Sequence, residues 1–221
     1  EIKTLEKILN VLDKLELPVE KEIILVDDGS TDGTRDLIRK LDEKYVKIFH
    51  EQNQGKGGAV HSGLAAASGD FVIIQDADLE YDPFEYNKLI DQIERHNLLV
   101  VYGSRNMTNN PRFKKSYYWG GKLITFITNF LFGSKLTDVN TCYKLFNTEL
   151  MRSLNLEQKD FSFCEEATVK TLKKGITIRE VPISYYPRAF DEGKKIRKID
   201  GIRAILTLLK YKFFYDSKNS K

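Results

Sequence analysis

The sequence predicts an α/β domain: a mostly parallel central sheet flanked by helices, of the kind that binds nucleotides. Three observations carry that expectation. Short apolar runs at 22–26, 46–49, 71–75 and 98–102 alternate with helical patterns. The first three runs lead into polar or glycine-rich segments rather than two-residue hairpin turns. One of them, Phe71-Val72-Ile73-Ile74, passes straight into Gln75-Asp76-Ala77-Asp78-Leu79-Glu80, so acids stand where an open α/β sheet presents its ligand edge.

Taken in order, Ile2, Leu5, Ile8, Leu9, Leu12 and Leu15 recur at helical spacing and predict an amphipathic first helix. After Pro18, Glu22-Ile23-Ile24-Leu25-Val26 reads as a buried strand running into Asp27-Asp28-Gly29-Ser30-Thr31-Asp32, a loop of turn and N-cap residues. A helix over 32–43 and a strand at 46–49 follow. Asn53-Gln54-Gly55-Lys56-Gly57-Gly58 is a glycine-rich loop that opens a helix from about Ala59 to Ala67. Pro83 fits the first position of the next helix, whose buried face holds Phe84, Leu89, Ile90 and Ile93.

Beyond Gly103 the alternation breaks. Residues 104–115 are polar and basic, 119–132 form a strongly apolar helix, and 137–146 read as loop and strand. A helix over 163–174 carries Glu165 and Glu166. A strand over 176–186 contains Pro182, which favours an edge position. The last helix, 200–215, bears Ile202, Ile205, Leu206, Leu209, Phe213 and Phe214.

Composition narrows the function classes. At 221 residues the chain suits one domain, expected to divide into a donor-binding half (1–103), an acceptor half (104–198) and a C-terminal amphipathic helix (199–216). A net charge of +3 gives no reason to expect nucleic acid as a partner. Two cysteines, Cys142 and Cys164, make neither a disulfide framework nor a paired metal spacing, so a reduced cytoplasmic setting is the default. No apolar run approaches the roughly 20 residues that span a bilayer, so any membrane role is expected to be peripheral. The helix over 200–215, with Leu209-Lys210-Tyr211-Lys212-Phe213-Phe214, suits a membrane surface as well as a core.

Read locally, the polar segments leave their roles open. Asp76 and Asp78 could cap a strand end or converge on a hard divalent cation, which prefers oxygen ligands. Asp27 and Asp28 could cap a helix or accept from a ligand N–H. Lys56 sits in a loop that lacks the spacing of a Walker A or dinucleotide fingerprint.

Together, Val26-Asp27-Asp28-Gly29-Ser30-Thr31-Asp32, Asn53-Gln54-Gly55-Lys56-Gly57, Gly69-Asp70 and Asp76-Ala77-Asp78 resemble the glycosyltransferase family 2 enzymes, which have the GT-A nucleotide-sugar-binding fold. The second half resembles the dolichyl- and polyprenyl-phosphate sugar synthases within that family. There the matching stretches are Gly103-Ser104-Arg105, 138–146, 161–166, 180–188 and Gly193-Lys194-Lys195-Ile196. The resemblance implies an inverting, metal-dependent hexosyltransferase. It would move sugar from a UDP-glucose or GDP-mannose type of donor to a polyprenyl or dolichyl phosphate, with Mg2+ or Mn2+ as cofactor.

By the same resemblance Asp78 is the direct metal ligand, Asp76 binds metal or ribose, and Glu80 adds an oxygen. Asp28, with Asp27, meets the nucleobase, and Lys56 meets base or phosphate. Gly29, Asn53, Gly57 and Ala77 complete the donor site. Arg105, Lys114, Arg188, Lys194 and Lys195 hold the acceptor phosphate. Glu166 joins Asp78, Arg105 and Arg188 in the catalytic set, orienting substrate or basic side chains. A lipid phosphate is already an anion, so this reaction needs cations rather than the carboxylate base of a hydroxyl acceptor. A hydroxyl-directed relative, with Glu165 or Glu166 as base, is the nearer alternative, and a non-catalytic nucleotide-sugar-binding module the more distant one.

The resembling enzymes open on a further apolar strand, and Glu1-Ile2-Lys3-Thr4-Leu5 matches the point just after it. The resemblance therefore implies that the expressed protein carries roughly 10 more residues, a strand's length, ahead of Glu1. Many relatives also carry C-terminal transmembrane helices, which the residues to 221 do not provide. The expectation is a protein that is soluble or peripherally attached, on the cytoplasmic face of the membrane.

Overall fold

A computed structural model of the chain describes residues 1–112, 115–188 and 198–215, the Lys198 side chain excepted. Helix α1 (Ile2–Lys14) buries Leu5, Ile8, Leu9 and Leu12, the apolar stripe its spacing predicts. Strands β1 (Ile24–Asp27) and β2 (Val46–Phe49) pair in parallel around α2 (Thr34–Lys40). Helix α3 (Gly55–Ala66) leads to β3 (Phe71–Ile73). A 3-10 turn at Pro83–Glu85 then opens α4 (Tyr86–His96), with the Asp82 carboxylate accepting from Phe84 N.

The second half contributes β4 (Val100–Ser104), α5 (Lys115–Phe132), β5 (Lys144–Asn147), α6 (Thr148–Ser153), α7 (Phe163–Lys173), β6 (Arg179–Pro182) and α8 (Lys198–Phe213). The larger sheet runs β3-β5-β4-β6. Strands β3, β4 and β6 share one direction, and β5 lies antiparallel between β3 and β4. Every residue of β4 is buried, as a strand covered on both faces requires. Strand β6 closes the edge and ends at Pro182, where a missing N–H costs least.

Two differences from the sequence reading bear on the site. The first three strand ends do not belong to one hydrogen-bonded sheet, because β1 and β2 form a separate pair. Among the described residues no strand joins β1 to β3, and both border the same cleft. The halves are held instead by one apolar cluster, in which Leu5, Ile8 and Leu25 meet Tyr81, Tyr86 and Leu145. Helix α3 also begins at Gly55, inside the glycine-rich loop, rather than at Ala59.

Candidate active site

A cleft of about 2360 Å3 opens between the two sheets, and the acidic strand end, the glycine-rich loop and both arginines at 105 and 188 line it. Beyond β3 the backbone turns through Leu79, a non-glycine residue at φ 63°. That uncommon conformation folds the chain back so that Asp78 Oδ1 accepts from Glu80 N at 3.0 Å and both carboxylates lie beside the Arg188 guanidinium. Asp76 faces the other way, toward Lys56, whose Nζ reaches its two carboxylate oxygens at 2.6 and 2.5 Å. Burial works against both charges, yet their attraction outweighs it and holds the Asp76 carboxyl low and the Lys56 ammonium high.

Asp78 responds in the opposite sense. Burial, followed by the negative charges of Asp76 and Glu80, pushes its carboxyl up to about 6 despite the nearby Arg188. Arg188 Nη2 donates to Asp78 Oδ2 at 2.7 Å. Glu80 accepts from Tyr185 Oη at 2.6 Å and from Arg188 N at 2.8 Å. These bonds draw the segment after β6 onto the acidic turn and place the Arg188 guanidinium within the cleft.

This donor set fits a divalent cation at Asp76 and Asp78. Both are hard oxygen ligands, and mutual repulsion that raises the Asp78 carboxyl is what a bound cation relieves. Glu80 lines the same cleft, but the three acids do not gather into one group: Glu80 accepts from Tyr185 Oη and Arg188 N, Asp76 pairs with Lys56 and Asp78 with Arg188. No cluster of three metal-ligating side chains forms among the described residues.

The part of the cleft beyond β1 is built on Asp28. Its carboxylate accepts from Gln54 N at 2.7 Å and Gly55 N at 2.8 Å, which satisfies the open start of α3, and Oδ1 lies 2.7 Å from His50 Nδ1. Gly29 takes φ 75°, and a Cβ there would lie 2.9 Å from Asn53 N, so only glycine lets the two loops meet. Asn53 Nδ2 completes the contact by donating to Asp28 O at 3.0 Å.

Two expected donor contacts are corrected by this packing. Asp27 is buried, and Arg35 Nε donates to its carboxylate at 2.7 Å, so that carboxylate fixes α2 rather than meeting a nucleobase. Gly57 is covered by chain, since a Cβ on it would stand 2.1 Å from Gln158 O. Its lack of a side chain serves the close approach of residues 158–159, not of a nucleotide. Asp28, Gly29, Asn53, Lys56, Asp76 and Ala77 do line the cleft.

Just beyond β4, Arg105 forms a two-pronged pair with Asp138, at 2.7 and 2.8 Å. The rings of Tyr81 and Tyr185 lie 6.0 and 5.1 Å from its guanidinium. Asp138 is itself fixed because Glu180 accepts from the backbone N–H groups of Thr137 and Asp138. Arg105 and Arg188 therefore share the cleft, whereas Lys114, Lys194 and Lys195 lie outside the described residues.

Glu166 does not take the catalytic position expected of it. It is fully buried and accepts from Glu157 N, Gln158 N, Lys170 Nζ and Tyr211 Oη. With no lone pair turned to the cleft, it knits the 157–158 loop, α7 and α8 together. Neighbouring Glu165 is also buried, bonded to Asn140 Nδ2 through Oε1, with Oε2 lacking a hydrogen-bond partner. Burial pushes its carboxyl up to about 7.

Residues that sequence reasoning left without roles complete the site. Asp138 and Glu180 form the support of Arg105, and the signal was that each opens another of the matching stretches, 138–146 and 180–188. Tyr185 links Glu80 to Arg105. His50 bridges Asp28 and Ser62, at 2.7 Å on each side, which no local spacing reveals.

Several known proteins are similar to this chain. Residues 1–154 match the protein family described as glycosyl transferase family 2. The chain is 30% identical over 189 residues to an undecaprenyl-phosphate mannosyltransferase of Micrococcus luteus, covering 79% of this chain and 76% of that protein. It is also 30% identical over 230 residues to a UDP-N-acetylglucosamine–dolichyl-phosphate N-acetylglucosaminyltransferase of Methanococcus voltae, covering 93% and 90%. Among solved structures it resembles glucosyl-3-phosphoglycerate synthase of Mycobacterium tuberculosis, crystallised with Mn2+, uridine diphosphate and glucosyl-3-phosphoglycerate. That likeness has a TM-score of 0.73 at 22% identity, covering 97% of this chain and 77% of that one.

Proposed function

The chain belongs to glycosyl transferase family 2 and is a transferase, and from that premise we propose that it moves a hexose from a nucleotide sugar to a polyprenyl phosphate. The observation that carries this reading is the Asp78–Arg188 contact at 2.7 Å, which sets a carboxylate for a metal and a cation for phosphate on one spot of the cleft.

The donor nucleotide lies along residues 27–57, against the Asp28–Asn53 junction. Asp76 and Asp78 would hold a divalent cation, Mn2+ or Mg2+, which would supply positive charge against the diphosphate as it departs. Lys56 keeps Asp76 ionised for that task, and Glu80 holds Arg188 in place through its main chain. Arg188 and Arg105 face the acceptor phosphate. A phosphate oxygen attacks the anomeric carbon as the bond from that carbon to the diphosphate breaks on the opposite face. The electron pair leaves with the nucleoside diphosphate, and configuration inverts.

The acceptor half favours a phosphate over a hydroxyl. A hydroxyl acceptor needs a carboxylate base open to the cleft. Glu166 is bound on every side, and Glu165 sits behind Asn140 with 1% of its surface exposed. Relatives acting on undecaprenyl and dolichyl phosphate support the same choice. A polyprenyl phosphate lies in a bilayer, so the enzyme works at a membrane surface, by our reading the cytoplasmic one. Among the described residues no helix is long and apolar enough to cross a membrane.

Titrating UDP and GDP with and without Mn2+ tests the donor side. The reading expects one of them to bind, more tightly with the metal, and Asp78→Ala to remove the metal's contribution. Equal binding with and without Mn2+ would sink the assigned metal role.

A further inference from the structure

Helices α5 and α8 pack on α7 and on each other, yet each is apolar on two opposite faces. The inward side of α5 buries Ile124, Thr125 and Thr128. Its outward side carries Trp119, Leu123, Phe126 and Phe130, spaced 4, 3 and 4 apart, and these are 52–79% exposed. Helix α8 repeats the pattern. Ala204, Leu208 and Tyr211 point inward, while Ile199, Ile202, Leu206, Leu209 and Phe213 form an exposed outer stripe spaced 3, 4, 3 and 4. Two uninterrupted stripes of large apolar side chains on neighbouring helices exceed what scattered surface residues produce.

We propose that these two stripes form one face that docks the enzyme on an anionic lipid surface. The proposal rests on the polyprenyl phosphate reading, which places the acceptor's headgroup at such a surface.

Charge selects this occupant. Among described side chains the two helices carry Lys115, Lys122, Arg203, Lys210 and Lys212 against the single acid Asp200, whereas the rest of the chain is balanced at 30 basic and 31 acidic residues; Arg203 and Lys210 also reach Asp160 and Glu157 at the edge of this face. An aromatic and aliphatic stripe with basic flanks matches the interface of an anionic bilayer, where apolar side chains enter the acyl boundary and lysines meet headgroups. A second copy on this face would set the same basic flanks against each other.

The face is also connected to the cleft. Arg112 lines the cleft and lies 4.0 Å from the centre of the Tyr118 ring, in the first turn of α5 beside Trp119. The start of the stripe thus adjoins a residue that lines the same cleft as Arg105 and Arg188. Docking through α5 lets a lipid phosphate reach the cleft while its chain remains in the membrane.

The test uses vesicles of phosphatidylcholine with and without phosphatidylglycerol. Trp119 is the chain's only tryptophan and reports directly on its own stripe. The expected result is co-flotation with the anionic vesicles and a blue shift of tryptophan emission. Phe126→Ser with Phe130→Ser, or Leu206→Ser with Phe213→Ser, should each weaken vesicle partitioning at least about tenfold. Both variants should keep the circular dichroism of the wild type and its transfer to a short, water-soluble polyprenyl phosphate. Wild-type partitioning in both variants, or no vesicle binding by the wild type, overturns the proposal. So does a concentration-dependent dimer that the substitutions dissolve while vesicle binding is absent. Vesicle binding without any transfer to polyprenyl phosphate supports the face and overturns the acceptor reading alone.

Discussion

Arg188 and Asp78 lie 110 residues apart in the chain, and the guanidinium donates to the carboxylate at 2.7 Å. The pair joins the acidic turn after β3 to the segment after β6. It also creates a competition, because a divalent cation and Arg188 seek the same carboxylate. Replacing Arg188 by Ala should therefore tighten Mn2+ binding in the absence of nucleotide. The same change should lower transfer by about 10²-fold or more, the usual cost of removing one preorganised charge donor. Calorimetric titration with Mn2+ and steady-state kinetics check the two halves. Weaker Mn2+ binding in the variant would contradict the competition.

Glu166 provides the contrast. Its pair with Lys170 is closed at 2.8 Å, with both side chains almost fully buried. Glu166→Ala takes from the buried Lys170 ammonium its nearest carboxylate, leaving it Asn155 O and the more distant Glu157, and should cost about 3–5 kcal/mol of stability. Glu166→Gln keeps the shape and some of the hydrogen bonds, and should cost less. Denaturant unfolding measures both. The glutamine variant should retain the wild-type kcat per folded enzyme, and a specific loss of kcat at unchanged stability would restore a catalytic role.

Glu165 sets a pH dependence. Its carboxyl rises from an ordinary value of 4.5 to about 7 because burial disfavours the charge. Between those values the folded state holds a proton that the unfolded state has released, so this group's contribution falls as pH rises through about 5 to 7. Over the full window the loss amounts to roughly 3 kcal/mol. Glu165→Gln removes the titration, so stability measured from pH 5 to 8 should decline less steeply than in the wild type. Parallel curves for the two proteins would argue against a raised carboxyl.

Gly57 tests the packing reading of the glycine-rich loop. A Cβ would stand 2.1 Å from Gln158 O, and both neighbours are backbone that cannot rotate away. Gly57→Ala should destabilise by about 1–3 kcal/mol through overpacking at the start of α3. It should also raise the KM for the donor, because Lys56 is the preceding residue. A variant with wild-type melting temperature would show that residues 158–159 yield easily.

Much of the arrangement was legible in the sequence, since apolar periodicity marks α1 and α4 and continuous apolar runs mark β1, β3 and β4, although Phe84, expected on the buried face of α4, is 62% exposed. The acidic strand end was legible because the apolar run Phe71 to Ile74 leads through Gln75 into Asp76 and Asp78, although β3 itself, expected to be buried, is only partly covered and Phe71 is exposed. What the sequence does not carry is the direction of each side chain. Leu79 at φ 63° folds the chain back between Asp78 and Glu80, and nothing about a leucine announces that turn. The partition of acids followed the same limit. Asp27 and Asp28 are adjacent, yet one meets Arg35 and the other the start of α3, a choice made by tertiary packing. Glu166 looked catalytic because acidic helix positions and buried ion pairs read alike in one dimension. The pairing of Arg105 with Asp138 depends on β4 lying beside β5, a long-range fact.

The most direct test of the central claim is a transfer assay with UDP- and GDP-hexoses labelled in the sugar, a short polyprenyl phosphate, and Mn2+ or Mg2+. Labelled glycolipid should form with one donor class, should require the metal, and should disappear in Asp78→Ala. Label that stays with the nucleotide, or passes only to a hydroxyl acceptor, would contradict the account.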